Sequence, residues 1–157
     1  MGERVRTLPT WDWIEENSNL IEIDSSIKEN MRGVYSIWTE EKCVYVGKAI
    51  DIMSRLEEHF EKIKWLFMNV EVRNTPKHIE ELSKSFNLGN KISVKLEKRV
   101  DYVYDNYNRD LHRLAFQEYC KIEEYQEKGW CLYQRPEGSK NDFEEKQWKK
   151  NKESRRD

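Results

Sequence analysis

The sequence predicts one small α+β domain. A β-hairpin signature precedes a capped amphipathic helix, and a long helical stripe closes the ordered part of the chain. Residues 33–38 (Gly-Val-Tyr-Ser-Ile-Trp) and 43–46 (Cys-Val-Tyr-Val) are short apolar and aromatic runs. They flank the polar tetrad Thr39-Glu40-Glu41-Lys42. Two such runs around a short polar link read as a hairpin. Asp51 stands where an N-cap belongs, ahead of a helix over residues 52–65. The last helix spans about 108–128 and stops before Gly129, a residue suited to the position after a helix.

The 157 residues suit one domain, and 19 aromatic residues argue against disorder. Charged and hydrophobic residues are each 37% of the chain, so a modest core under a charged surface is expected. The chain has no run of about 18 apolar residues, and no membrane segment is expected. The N-terminal MGERVRTLPTWDW offers no apolar h-region, so no secretory signal is expected either. Three cysteines without a CxxC pair suit a reducing cytoplasm, and the three scattered histidines argue against a zinc site. The net charge of -2 does not by itself point to nucleic acid.

The remaining elements follow in chain order. Residues 8–30 hold a short helix with Trp11 and Trp13, and Ser25 could cap a further turn. The two indoles serve either as a brace for the core or as a DNA-contacting arm; burial is the commoner use of Trp. In the helix over 52–65, Ile52, Leu56 and Ile63 share one face, with Arg55, His59 and Lys62 on its shoulder. Residues 67–73 alternate like a strand that Pro76 would stop. A helix over 78–86, a turn at 87–90 and a strand or helix over 92–100 are expected next. In the final helix Leu111, Ala115, Ile122 and Tyr125 form an apolar stripe, with Leu114 beside it and Glu118 in its middle. A carboxylate on a core-facing stripe is costly without compensation. It is either a metal ligand or general acid/base, or half of a buried salt bridge to Arg55 or Arg113. A last strand over 130–133 and a basic tail over 137–157 complete the reading; residues 146–156 hold six basic residues and one acidic residue.

Gly33-Val34-Tyr35, nine residues, Tyr45-Val46-Gly47, then Arg55, His59 and the helical Glu118 form an ordered set. It resembles the GIY-YIG nuclease family, closely over residues 31–60 and more loosely at Glu118. The resemblance implies a three-stranded antiparallel core sheet flanked by helices within residues 31–135. It also implies an insertion over 70–105 and an N-terminal extension over 1–30. The implied reaction is metal-assisted hydrolysis of a DNA phosphodiester, which needs an activated water and stabilised phosphate charge.

In that reading Glu118 ligates Mg²⁺ or Mn²⁺, a hard cation suited to carboxylate oxygen. Arg55 clamps the phosphate with its fixed fork of donors. Tyr35 is the general base or orients the water, Tyr45 shares its network, and His59 could replace or assist Tyr35 because it titrates near neutrality without help. Gly47 permits a backbone turn out of the second strand, and Lys48 touches a phosphate. Asn141 is the nearest candidate for an asparagine common in the family and is assigned no role.

A small restriction-type, phage or mobile-element endonuclease fits the chain, as monomer or homodimer, in the cytoplasm. Lys77, Lys84, Lys91, Lys95, Lys98, Arg99 and Arg109 would supply phosphate contacts, and Tyr102, Tyr104 and Tyr107 could stack on bases. Two other classes remain open. One is a DNA-binding module without catalysis; the other is a protein-interaction domain in which Glu118 pairs with arginine.

Overall fold

The computed structural model describes residues 8–70, 72–102 and 106–129. The expected strand at 130–133, Asn141, Tyr104 and the basic tail lie outside the described residues. The chain order is α1 (Thr10–Glu16), β1 (Ile21–Ile23), β2 (Gly33–Thr39), β3 (Lys42–Ala49), α2 (Ile52–Phe67), α3 (Lys77–Asn87), β4 (Ile92–Arg99) and α4 (Tyr107–Glu127).

The class is α+β, but the sheet has four strands and is mixed, in the order β1-β4-β2-β3. Three strands, β3, β2 and β4, pair antiparallel, and β1 adds parallel to β4. The expectation of a three-stranded antiparallel sheet is corrected accordingly. The added strand is Ile21-Glu22-Ile23, which is too short to announce itself by periodicity. Asp24 fixes its end: the carboxylate accepts from Ser26 N at 2.8 Å and from Leu96 N at 3.0 Å. The stretch expected as an insertion supplies α3 and β4, and β4 is an inner strand.

Every residue of β2 is buried, as befits an inner strand covered on both faces. On one face Tyr35 and Ile37 join Leu56, Phe60 and Ile63 of α2 and Ile79, Leu82 and Phe86 of α3. On the other, Val34 and Trp38 join Val46 with Leu114 and Ile122 of α4. Trp13 is buried against Phe67 and Phe86, and Lys64 donates to Leu8 O at 2.7 Å, so the N-terminal helix is a brace.

Local chemistry sets several boundaries. The hairpin link is only Glu40-Glu41, with Glu40 at φ 54°, because pairing extends to Thr39 and Lys42. Asp51 caps α2 by accepting from Ser54 N. The strand expected over 67–73 does not form among its described residues. Phe67 belongs to α2, and Asn69 adopts φ 60°, a left-handed conformation that breaks an extended run. Gly129 follows α4 at φ 94°, as expected.

Two polar anchors hold α4. Arg32 is buried and donates to Val100 O at 2.7 Å and to Asp110 O. Glu97 accepts from Ser36 at 2.6 Å and from Tyr125 at 2.8 Å. The buried stripe of α4 is Asp110, Leu114, Ala115, Glu118 and Ile122; Leu111 and Tyr125 sit at its half-buried margins.

Gly33 allows β2 and β4 to approach at the bulge that follows it. A Cβ there would lie 2.3 Å from Lys98 O. Backbone cannot yield as a flexible side chain can, so Gly33→Ala is expected to lower the unfolding free energy by about 2 kcal/mol, read by urea denaturation.

Candidate functional site

The residues singled out in the sequence come from four elements. Tyr35 lies on β2, Tyr45 and Gly47 on β3, Arg55 and His59 on α2, and Glu118 on α4. Antiparallel pairing sets Tyr35 opposite Gly47 and Ile37 opposite Tyr45, so strand alternation turns both phenols to the α2 side of the sheet. Arg55 and His59 are four apart on α2 and project together.

Tyr35, Tyr45 and His59 form one contact cluster. Tyr35 OH and His59 Nε2 are 2.8 Å apart. The Tyr35 and Tyr45 ring centroids are 6.1 Å apart, and the Tyr45 and His59 rings meet edge-on at 4.9 Å. Arg55, a turn before His59 on α2, pairs with Glu58 on the surface.

His78 was missed in the sequence. It stands in the first turn of α3, stacked on Tyr45 at 4.2 Å with a 24° interplanar angle, and its Nε2 is 3.5 Å from His59 Nδ1. A lone histidine after Pro76 carries no sequence signal of its own. Only the packing of α3 against α2 brings it in.

Burial governs the titration of the cluster. Tyr35 has no exposed surface, and its pKa rises well above the usual phenol value, mainly by desolvation and then by the Tyr45 charge. Tyr45 is only half-buried. Desolvation raises its pKa too, while Arg55 and the neighbouring Tyr35 favour the phenolate. Glu118 lies buried on α4, 4% exposed, and adds a lesser upward push to both phenols. Arg55 stays charged: burial opposes this, but Glu58 and the two phenols outweigh it.

The histidines are the opposite of what an isolated imidazole suggests. Desolvation, then His78, Arg55 and Lys62, hold His59 well below its ordinary pKa. It is neutral near neutrality, which corrects the expectation that it titrates there unaided. Desolvation, then Lys62 and Arg55, pull His78 down to about 4.

Two further expectations change. Gly47 lies inside β3, which runs to Ala49, and is not the exit from the strand. Its lack of a side chain makes room for the phenols: a Cβ there would lie 2.5 Å from the Tyr45 ring and 2.8 Å from Tyr35 OH. Lys48 pairs with Val34, so alternation turns it to the α4 face, away from the phenols.

Tyr102 and Tyr107 are exposed, with the Arg32 guanidinium 4.3 Å from the Tyr102 ring centroid. Of the cations weighed for phosphate contact, Lys91 pairs with Glu22, Arg99 with Asp101, and Lys95 lies over the Trp38 ring.

Among the described residues no group of three or more His, Cys, Asp or Glu gathers to hold a metal ion. No helix among them is long and apolar enough to cross a membrane. No family model, curated protein or solved structure matches the chain. The functional reading therefore rests on the residues themselves.

Neutral burial of His78 makes stability depend on pH. Its folded pKa lies below the unfolded value near 6.5, so its contribution is complete above about pH 6.5 and is lost as pH falls toward about 4. Between pH 7 and pH 5, wild type should lose about 2 kcal/mol more unfolding free energy than His78→Gln, read by chemical denaturation at both pH values. Equal losses in the two proteins would contradict the assignment.

Proposed function

We propose that this protein is a divalent-metal-dependent endonuclease that hydrolyses DNA phosphodiesters, with a GIY-YIG-like site. The observation that carries the reading is the meeting of Tyr35, Tyr45 and His59, from three elements, in one contact cluster on the side of the sheet covered by α2, the helix that also carries Arg55. Each residue alone has an ordinary structural use. Their order in the sequence combined with their meeting in space is far less ordinary.

Burial divides the roles. Tyr35 is too deep to touch a substrate, whereas Tyr45 is partly open beside Arg55. Tyr45 is thus the phenol suited to orient the attacking water or take its proton, and Tyr35 supports it from behind. Its raised pKa would have to fall for the base role, and Arg55 and Tyr35 both push it that way. The guanidinium of Arg55 can exchange Glu58, a surface partner worth little, for a phosphate that it grips with two donors.

The donor chemistry fits a hard cation. Glu118 would hold Mg²⁺ or Mn²⁺ through carboxylate oxygen, leaving the other positions to water and phosphate, as Mg²⁺ prefers. When bound, the metal supplies Lewis-acid charge at the phosphate. Compartment and oligomeric state belong to the same proposal: a cytoplasmic protein, monomer or homodimer, cutting at a recognition sequence or at a DNA structure.

A second reading is a DNA-binding module of the same fold without catalysis. Complete burial of Tyr35 and near-complete burial of His59 favour it, because such residues also serve a core. Plasmid cleavage with Mg²⁺ or Mn²⁺ separates the two. Wild type should nick or cut, and Glu118→Ala and Arg55→Ala should each lose about a hundredfold or more in rate while keeping the circular-dichroism spectrum. A wild type that shifts DNA in a gel but cuts none of several substrates would favour the binding module.

A further inference from the structure

We propose that His59 and His78 form a two-imidazole site for a late first-row divalent cation, Zn²⁺ above all, held between His59 Nδ1 and His78 Nε2 with water on its remaining positions. This site is separate from the carboxylate that the nuclease reading gives to Mg²⁺ or Mn²⁺, and it does not rest on that reading.

The placing of the two rings carries the proposal. An ion about 2.1 Å from each of two imidazole nitrogens, at a tetrahedral angle, needs those nitrogens about 3.4 Å apart. Each ring centre lies about 1.15 Å behind its nitrogen, so the centroids then stand about 5.3 Å apart. In the structure His59 Nδ1 and His78 Nε2 are 3.5 Å apart, and the ring centroids are 5.3 Å apart. A linear hydrogen bond between nitrogens that far apart would separate the centroids by about 5.8 Å, and such a length is already at the outer edge of hydrogen bonding. The ring axes are therefore bent off the line joining the nitrogens, as the axes of two ligands to one ion are.

The surroundings hold the rings there. His78 stacks on Tyr45 at 4.2 Å, and its helix is anchored by fully buried Ile79 and Leu82. Ligation through Nδ1 leaves the proton of His59 on Nε2, where the Tyr35 oxygen, 2.8 Å away, can accept it; ligating histidines commonly have such an outer partner. His78 is only half-buried, which gives an ion a path from solvent. Two neutral nitrogens suit Zn²⁺, Cu²⁺ or Ni²⁺ and not Mg²⁺. Nearby charge sets the strength. Arg55 and Lys62 act on both histidines and oppose a dication, while Glu58 pairs with Arg55 and, with Glu61, shares a surface cavity with Lys62. With two protein ligands the site binds weakly and exchangeably, and an ion in it ties α3 to α2.

Nitrogen-15 NMR of the histidine side chains, on the full wild-type chain without Mg²⁺ or DNA, tests the site with Zn²⁺ as the probe. Zn²⁺ should move His59 Nδ1 and His78 Nε2 together to the metal-bound position and leave the exposed His112 unmoved. By calorimetric titration His78→Gln should bind Zn²⁺ at least about tenfold more weakly, and Glu118→Gln should match wild type. His59 and His78 signals that do not move with Zn²⁺, or that move no more readily than His112, overturn the proposal. So does Zn²⁺ affinity unchanged in His78→Gln, or lost in Glu118→Gln, which would give the ion to the carboxylate. The wild-type spectra decide the matter even if His78→Gln fails to fold. A wild type that cuts no DNA overturns the nuclease reading alone, because the Zn²⁺ titration needs no turnover.

Discussion

The cross-strand pair of Tyr35 and Gly47 is the constraint on which the site depends. A side chain at residue 47 would occupy the space that the Tyr35 hydroxyl and the Tyr45 ring share. With glycine there, two phenols lie on the same face of the β2–β3 hairpin, and α2 closes over them with His59 inward. The hairpin register is fixed by burial of β2 on both faces, since a slip of one residue would exchange Tyr35 and Ile37 for Val34, Ser36 and Trp38. Core packing and site geometry are therefore the same set of contacts, and the cluster can be rigid without dedicated supports.

At the phenols burial outweighs the pull of Arg55, whereas at the histidines burial and the cations Arg55 and Lys62 act together. Both phenols and both histidines are thereby held in their neutral forms. The ions stand on either side: Arg55 at the surface and Glu118 on α4. Neutral donors in the middle can direct hydrogen bonds without the cost of a buried charge. The arrangement favours the half-buried Tyr45 over the sealed Tyr35 as the phenol that meets solvent. In the proposed site Tyr35, which the resemblance implies as base or water-orienting group, stands behind Tyr45.

Much of this was legible in the sequence because local rules carried it. Asp51 capping α2, the apolar stripe of Ile52, Leu56 and Ile63, and the glycine after α4 are readable within a turn or two. The odd placement of Glu118 on an apolar stripe was also visible, and Glu118 does lie buried between Leu114 and Ile122. What failed was non-local or conformational. Strand β1 depends on its parallel partner β4, and the 67–73 alternation was undone by Asn69 in a left-handed conformation. His59 looked like an open titrating group because helical spacing cannot say what covers a helix shoulder. His78 was invisible because the packing of α3 alone brings it to the cluster. Gly47 was assigned to a turn, where glycine is commonest, yet acts by the room it leaves.

In the proposed function Glu118 and the tyrosine–histidine cluster form one metal-assisted site. Paramagnetic broadening by Mn²⁺, read on side-chain NMR signals, tests it without needing a DNA substrate. The account expects Mn²⁺ to broaden the Tyr45 and His59 signals selectively in wild type, to leave distant Trp13 sharp, and to lose this selectivity in Glu118→Gln. Broadening absent from Tyr45 and His59, or unchanged in Glu118→Gln, would contradict it.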